Sequence, residues 1–132
     1  MSKYIMAYFA GALRPLHYSI DVMFDVNEKY GGASEALEMM MKDDREGFAA
    51  TRYLAVIMAN DAELCRRADG YDHHRMLEEN DISTRMSPVE YLALKQAISN
   101  AIEYGYKREL EDENEEIDLG LIELQKKEDA GT

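Results

Sequence analysis

The sequence predicts a mainly α protein, a small helical bundle preceded by either a short N-terminal β-hairpin or an extended arm. Three observations carry that reading. Helix start signals recur at Ser19, at Asp43 with Glu46, and at Ser87-Pro88-Val89-Glu90, and Gly31 and Gly70 supply stops. Tyr91, Leu94, Ile98, Ala101 and Ile102 recur at spacings of three and four, the period of one helix face. Only 2 prolines interrupt 132 residues that are 46% hydrophobic and 32% charged, a balance suited to folding around a single core.

Residues 3–18 alternate poorly, yet Tyr4, Ile5, Tyr8 and Phe9 favour a strand. Gly11 can turn, and Pro15 discourages a helix through Arg14, so a hairpin or arm is expected there, with a first helix as the alternative. Ser19 then caps a helix over residues 20–30 in which Ile20, Val22, Met23, Phe24, Val26 and Tyr30 share one arc, opposite Asp21, Asp25 and Glu28. The arc spans about 200°, against a usual stripe of about 100° or slightly more. Such a helix is either packed on two sides or keeps part of its face for a partner. Gly31 provides the left-handed position that ends it.

Ser34 is the expected cap of a brief helix through Met41, where Met39-Met40-Met41 offers adaptable contacts suited to core filling, with a partner groove as the second reading. Asp43 with Glu46 has the form of a capping box opening a helix over residues 45–59. Within that span Thr51 and Arg52 are the only polar residues of the run from Phe48 to Ala59, so the helix should lie at the centre, with Arg52 reaching to the surface. Asn60 or Asp61 is expected to start another short helix through Ala68, stopped by Gly70, and a short helix and polar loop should follow. Ser87 at the cap, Pro88 at the first helical position and Glu90 reaching back form the clearest start signal, for a helix to about Tyr104. From Glu109 to Asp118 acidic residues dominate, which sets a domain edge near residue 108. The organisation expected is a helical domain over residues 1–108 and an acidic, partly disordered tail over 109–132, in which Gly120 weakens any helix.

A formal charge of −12 repels phosphate backbones and anionic lipid, which argues against nucleic-acid or membrane binding. Solubility, a basic partner and imitation of a nucleic acid are the roles that charge leaves. Cys65 stands alone, so no internal disulfide is available and a reducing compartment is expected, with the thiol as a small buried apolar group. The apolar run from Tyr4 to Phe9 is too short for a signal peptide, and no stretch has the length of a membrane span, so a cytoplasmic location is expected.

Chemistry-bearing patterns are sparse. Asp72-His73-His74 with Glu78 is the best metal candidate, since His74 and Glu78 would share a helical face, but it lacks a third ligand, and a solvated turn is the favoured reading. His17 is isolated in sequence. Asp21 and Asp25 as an acid–base pair lack any sign of a pocket, and no nucleophile-elbow, zinc-protease, phosphate-loop, dinucleotide or calcium-loop motif is present. No enzyme activity, cofactor or metal is therefore expected.

The order of segments is more informative. An apolar N-terminal run leads to RPLHYSIDVMFDVNEKYGG, then an apolar middle helix, then MSPVEYLALKQAISNAIEYGY, then an acidic stretch closing on IDLGLIELQKKEDAGT. This order resembles the tail assembly chaperones of long-tailed phages and prophages, small acidic helical proteins encoded before the tape measure protein. The resemblance implies a non-catalytic assembly factor of the host cytoplasm. Such a factor binds the tape measure protein, helps recruit tail tube protein and is absent from the mature virion. Self-association is compatible with it. The resemblance also implies a longer frameshifted product, for which codons at Lys126-Lys127 would be the slippery run, and coding DNA without such a run would dismiss that part. The expected partner contacts are Met23, Phe24 and Tyr30, with Leu119 and Ile122 in the tail. The competing expectation is an acidic nucleic-acid mimic that inhibits a DNA-binding protein, recognisable by carboxylates in two rows and steep salt dependence. A metal-dependent enzyme, the third reading, requires zinc or iron to co-purify.

Overall fold

The computed structural model describes the backbone of residues 4–124 and the side chains of residues 4–107. The chain opens with an antiparallel hairpin, β1 (Ile5–Phe9) and β2 (Ala12–Leu16), in which Ile5 faces Leu16 and Phe9 faces Ala12. Of the two expectations for this stretch, the strand reading is the one formed. Its two-residue turn places Ala10 at φ 53° and Gly11 at φ 82°. Positive φ at both positions matches the twist of the flanking strands. Glycine takes that conformation freely, whereas Ala10 is strained by about 1–2 kcal/mol. Arg14 braces the turn, donating from Nε to the Phe9 carbonyl at 2.9 Å and from Nη2 to the Ala10 carbonyl at 2.6 Å.

Helix α1 (Ile20–Tyr30) has the predicted bounds. Ser19 Oγ accepts the Val22 N–H, and Gly31 at φ 96° closes the helix by donating its N–H to Asn27. Helix α2 (Ala33–Met40) departs from the expected start: Gly32 occupies the cap position, and Ser34 lies exposed inside the first turn. Helix α3 (Arg45–Ala68) brings two further corrections. Its cap is Asp44, whose carboxylate accepts the Gly47 N–H at 2.9 Å, one residue after the Asp43 expected from sequence. It also runs unbroken through Asn60 and Asp61, so the second short helix expected there is simply its last third.

Both supposed cap residues instead hold other segments. Asn60 donates from Nδ2 to the Leu77 carbonyl at 3.0 Å and accepts the Leu77 N–H on Oδ1 at 2.8 Å, pinning the irregular stretch after Gly70 to α3. That stretch forms no α-helix; it passes into a 3-10 turn at Glu79–Asp81 held by the paired nitrogens of Arg75, each 3.1 Å from an Asp81 oxygen. Helix α4 (Pro88–Leu124) begins at the predicted capping box, with the Ser87 N–H donated to Glu90 at 3.0 Å and the Glu90 N–H to Ser87 Oγ at 3.1 Å. Its backbone continues past Tyr104, where the apolar stripe ends, to Leu124. The acidic tail expected from residue 109 falls where no side chain is described, as do Leu119 and Ile122, and Lys126-Lys127 lies beyond the described backbone.

The core gathers around α3, which touches β2 and the other three α-helices. Leu54, Ala55, Met58 and Ala62 of α3 are fully buried. The inner hairpin face brings Ala7, Phe9 and Leu16, with β1 lying on α4 and β2 on α3. Val22 and Val26 come from α1, Ala36 and Met40 from α2, and Leu94, Ile98, Ala101 and Ile102 from the predicted stripe of α4. Three polar side chains are buried among the described residues, Thr51, Lys95 and Glu63. Thr51 donates to the Gly47 carbonyl at 2.8 Å, and the Lys95 ammonium lies 4.6 Å from the centre of the Tyr91 ring, a cation–π contact. Among the described residues no helix is long and apolar enough to cross a membrane.

Candidate partner-binding surface

The wide apolar arc of α1 divides in the fold. Val22 and Val26 face the core, and Tyr30 packs edge-on against Tyr53 with ring centres 5.9 Å apart. Met23 is half-buried against the core. Phe24 and Ile20 point outward, 51% and 62% exposed. Of the three described residues expected to meet a partner, Phe24 is thus accessible, Met23 is shared between core and surface, and Tyr30 belongs mainly to packing. Ile20, part of the predicted arc but outside the expected contact set, is the most exposed residue of the helix's apolar face. Its neighbours Asp21, Asp25 and Glu28 are exposed too, so the outer side of α1 is apolar with an acidic border.

Beside Ile20 lies a shallow groove of about 230 Å³ lined by Tyr18, Ser19, Ile20, Met23, Gly105 and Tyr106. That is below the range of about 300–1,000 Å³ typical of small-molecule sites, and suits one or two side chains. The groove exists because α4 closely approaches the linker between β2 and α1 at Gly105, where a Cβ would come within 2.9 Å of the Tyr18 carbonyl oxygen. Tyr18 and Tyr106 meet across its floor with ring centres 5.4 Å apart and hydroxyls 3.4 Å apart. Burial, and then the hydrogen bond and proximity to Tyr106, push the Tyr18 hydroxyl well above the ordinary phenol range. The Tyr18 ring therefore remains neutral at physiological pH, and the groove offers a phenol edge within an apolar wall. A second apolar area lies on the outer face of the hairpin, where Met6, Tyr8 and Leu13 are exposed and Tyr8 pairs across the strands with Leu13. Burial alternates from Met6 to Phe9, with Ala7 and Phe9 inside, but the run is apolar throughout, so the sequence carries no signal for which face is outward.

The histidine cluster weighed as a metal candidate takes a different geometry. Because residues 72–78 are not helical, His74 and Glu78 do not share a face. His74 instead docks on Glu63, a buried carboxylate that accepts the His74 N–H at 2.6 Å, Arg66 at 2.8 Å and Arg67 at 3.0 Å. Burial alone would raise the Glu63 carboxyl, but the His74 N–H and the guanidinium groups of Arg67 and Arg66 outweigh it and hold the group below the usual carboxylate range. The arrangement is a structural clasp: one carboxylate joins the end of α3 to the irregular segment after it. Asp21 and Asp25 are both exposed.

Comparison with protein-family models, with curated proteins and with solved structures returns no match to this chain.

Proposed function

We propose that the protein is a tail assembly chaperone of a long-tailed phage or prophage, binding helices of the tape measure protein and assisting tail tube assembly without catalysing a reaction. The observation that carries this reading is the outer side of α1. Two large apolar side chains, Ile20 and Phe24, stand exposed beside a groove sized for protein side chains, in a chain of net charge −12. Exposed apolar area of that kind is suited to covering an amphipathic helix, laid in a groove with anchors one turn apart. The acidic border keeps such a complex soluble by mutual repulsion and favours client helices with lysine or arginine flanking their apolar stripe.

Co-expression with the tape measure protein of the same genome tests the proposal. The wild-type protein should move that client into the soluble fraction and co-purify with it. The double variant Ile20→Ser/Phe24→Ser should lose the client while keeping its circular dichroism and melting behaviour, because both side chains project into water. Solubility of the client unchanged by the wild-type protein would refute the function, and full activity of the double variant would refute the surface.

A further inference from the structure

Three electron-pair donors of different chemistry meet behind the start of α1. His17 Nδ1 lies 2.7 Å from Asp61 Oδ2 and 3.4 Å from Cys65 Sγ, and all three atoms lie within 4.8 Å of one another. Asp61 and Cys65 are one turn apart on α3 and so share a face, while His17 arrives from the linker between β2 and α1. The side chains of His17 and Asp61 are only 15% and 11% exposed, and Cys65 is half-buried.

The surroundings hold these donors in place. Ser19 Oγ donates to the other Asp61 oxygen at 2.8 Å, leaving Oδ2 aimed at the imidazole. The His17 backbone N–H is tied to the Met58 carbonyl at 3.1 Å, which fixes the main chain carrying the ring, and Tyr4 packs edge-on against the imidazole with ring centres 5.5 Å apart. Such outer contacts are what orient metal ligands.

A nucleophilic Cys–His–Asp relay does not fit, because it uses opposite nitrogens of the ring, one toward the thiol and one toward the carboxylate. Here a single nitrogen faces both. If Nδ1 carries its proton, it donates to Asp61 and presents no lone pair to the thiol. If it is bare, its lone pair opposes the carboxylate. A single cation in place of the proton satisfies all three donors together.

We propose that His17 Nδ1, Asp61 Oδ2 and Cys65 Sγ bind one zinc ion, with a water molecule completing a tetrahedron. The mixed nitrogen, oxygen and sulfur set suits zinc and disfavours calcium and magnesium, which take oxygen ligands. Bond lengths of about 2.0–2.3 Å put tetrahedral donors roughly 3.3–3.7 Å apart. The His17–Cys65 separation already meets this, and the His17–Asp61 separation reaches it by a side-chain shift of less than about 1 Å. Binding releases the thiol proton, so affinity rises with pH. The ion would clamp the linker that carries Ser19, the cap of α1, onto the middle of the fold.

Full-length protein, stripped of metal and reduced, is titrated with Co²⁺ as a spectroscopic probe and then with Zn²⁺. One equivalent of cobalt should produce a thiolate-to-cobalt charge-transfer band and the intense visible bands of tetrahedral cobalt, and zinc should displace it stoichiometrically. Cys65→Ser should abolish the charge-transfer band. His17→Gln and Asp61→Asn should each weaken binding by more than about tenfold, since loss of an outer partner alone typically costs that much. The His73→Ala/His74→Ala variant should bind as the wild type does. Independently of any variant, zinc should slow alkylation of Cys65 and raise the melting temperature. Absence of the charge-transfer band at one equivalent, undiminished binding by folded Cys65→Ser, or alkylation indifferent to zinc would each overturn the site.

Discussion

Replacing Gly47 with alanine should destabilise the protein, although the same change in an isolated helix stabilises it by about 1 kcal/mol. The reason lies where the turn from α2 folds back over the first turn of α3. A Cβ on residue 47 would stand 1.8 Å from the Lys42 carbonyl oxygen, 2.8 Å from its carbon and 3.2 Å from the Met40 oxygen. All three are backbone atoms, so no side-chain rotation relieves the overlap, and the turn must withdraw by roughly 1.5 Å to reach van der Waals contact. That displacement costs about 1 kcal/mol through the Asp44 cap on the Gly47 N–H. A further 1–2 kcal/mol or so is lost through Met40, which is fully buried at the end of α2, and about 1 kcal/mol through the Lys42 N–H bond to Met39. Less the propensity gain, the net loss is about 2–3 kcal/mol. Urea unfolding followed by circular dichroism should show the midpoint falling by roughly 1–2 M at unchanged slope. As a control, Ala49→Gly on the exposed side of the same helix should cost only its propensity, about 1 kcal/mol. A Gly47→Ala protein as stable as the wild type would refute the close packing of this turn.

Two further perturbations probe the clasps around α3. Asn60→Ala should lower stability by about 2–3 kcal/mol, because the buried Leu77 N–H and carbonyl lose their partners while alanine returns only a few tenths in helix propensity. Hydrogen exchange at Leu77 should accelerate with it, and a loss under about 0.5 kcal/mol would show that water replaces the side chain. Glu63 governs part of the acid response. Its carboxyl is held below its unfolded value, so its contribution is complete above the ordinary carboxylate range and disappears as pH falls through the folded value. Glu63→Gln should therefore be less stable than the wild type at neutral pH, with the gap closing in acid. A gap that persists unchanged at low pH would assign the effect to packing instead of charge.

Much of the fold was legible because local chemistry and tertiary structure agree. Ser19 and Gly31 bound α1, Ser87 to Glu90 open α4, and the stripe from Leu94 to Ile102 is buried as its spacing requires. Errors arose where one residue type has two uses. Asparagine and aspartate favour helix starts because a short polar side chain reaches nearby backbone, and the same reach allows Asn60 and Asp61, within a continuous helix, to hold other segments. Reading them as a cap split α3, although the one-turn relation of Asp61 to Cys65 holds in either reading, and it is His17 that the fold adds to the pair. No local pattern encodes that third member, since it is the packing of β2 on α3 that brings His17 to the pair. The apolar face was legible in width but not in division, because which of Val22, Phe24 and Ile20 turns inward depends on where α2 and α3 lie.

The use of the acidic residues separates the proposed chaperone from the competing mimic of nucleic acid. The carboxylates of Asp44, Asp61, Glu63, Asp81 and Glu90 are committed within the fold to caps and clasps, and cannot also stand in for phosphates without giving up those bonds. On α1 the exposed acids Asp21, Asp25 and Glu28 form one row around Phe24, on a helix whose outward side is as apolar as it is charged. A duplex surrogate needs two rows and gains nothing from an exposed phenylalanine, whereas a surface covering an amphipathic helix needs the ring and benefits from the acidic border. Binding through this face should therefore survive a rise from low to physiological salt with a modest loss, and Phe24→Ser should weaken it more than Asp25→Asn does. The reverse ranking, with steep salt dependence, would favour the mimic.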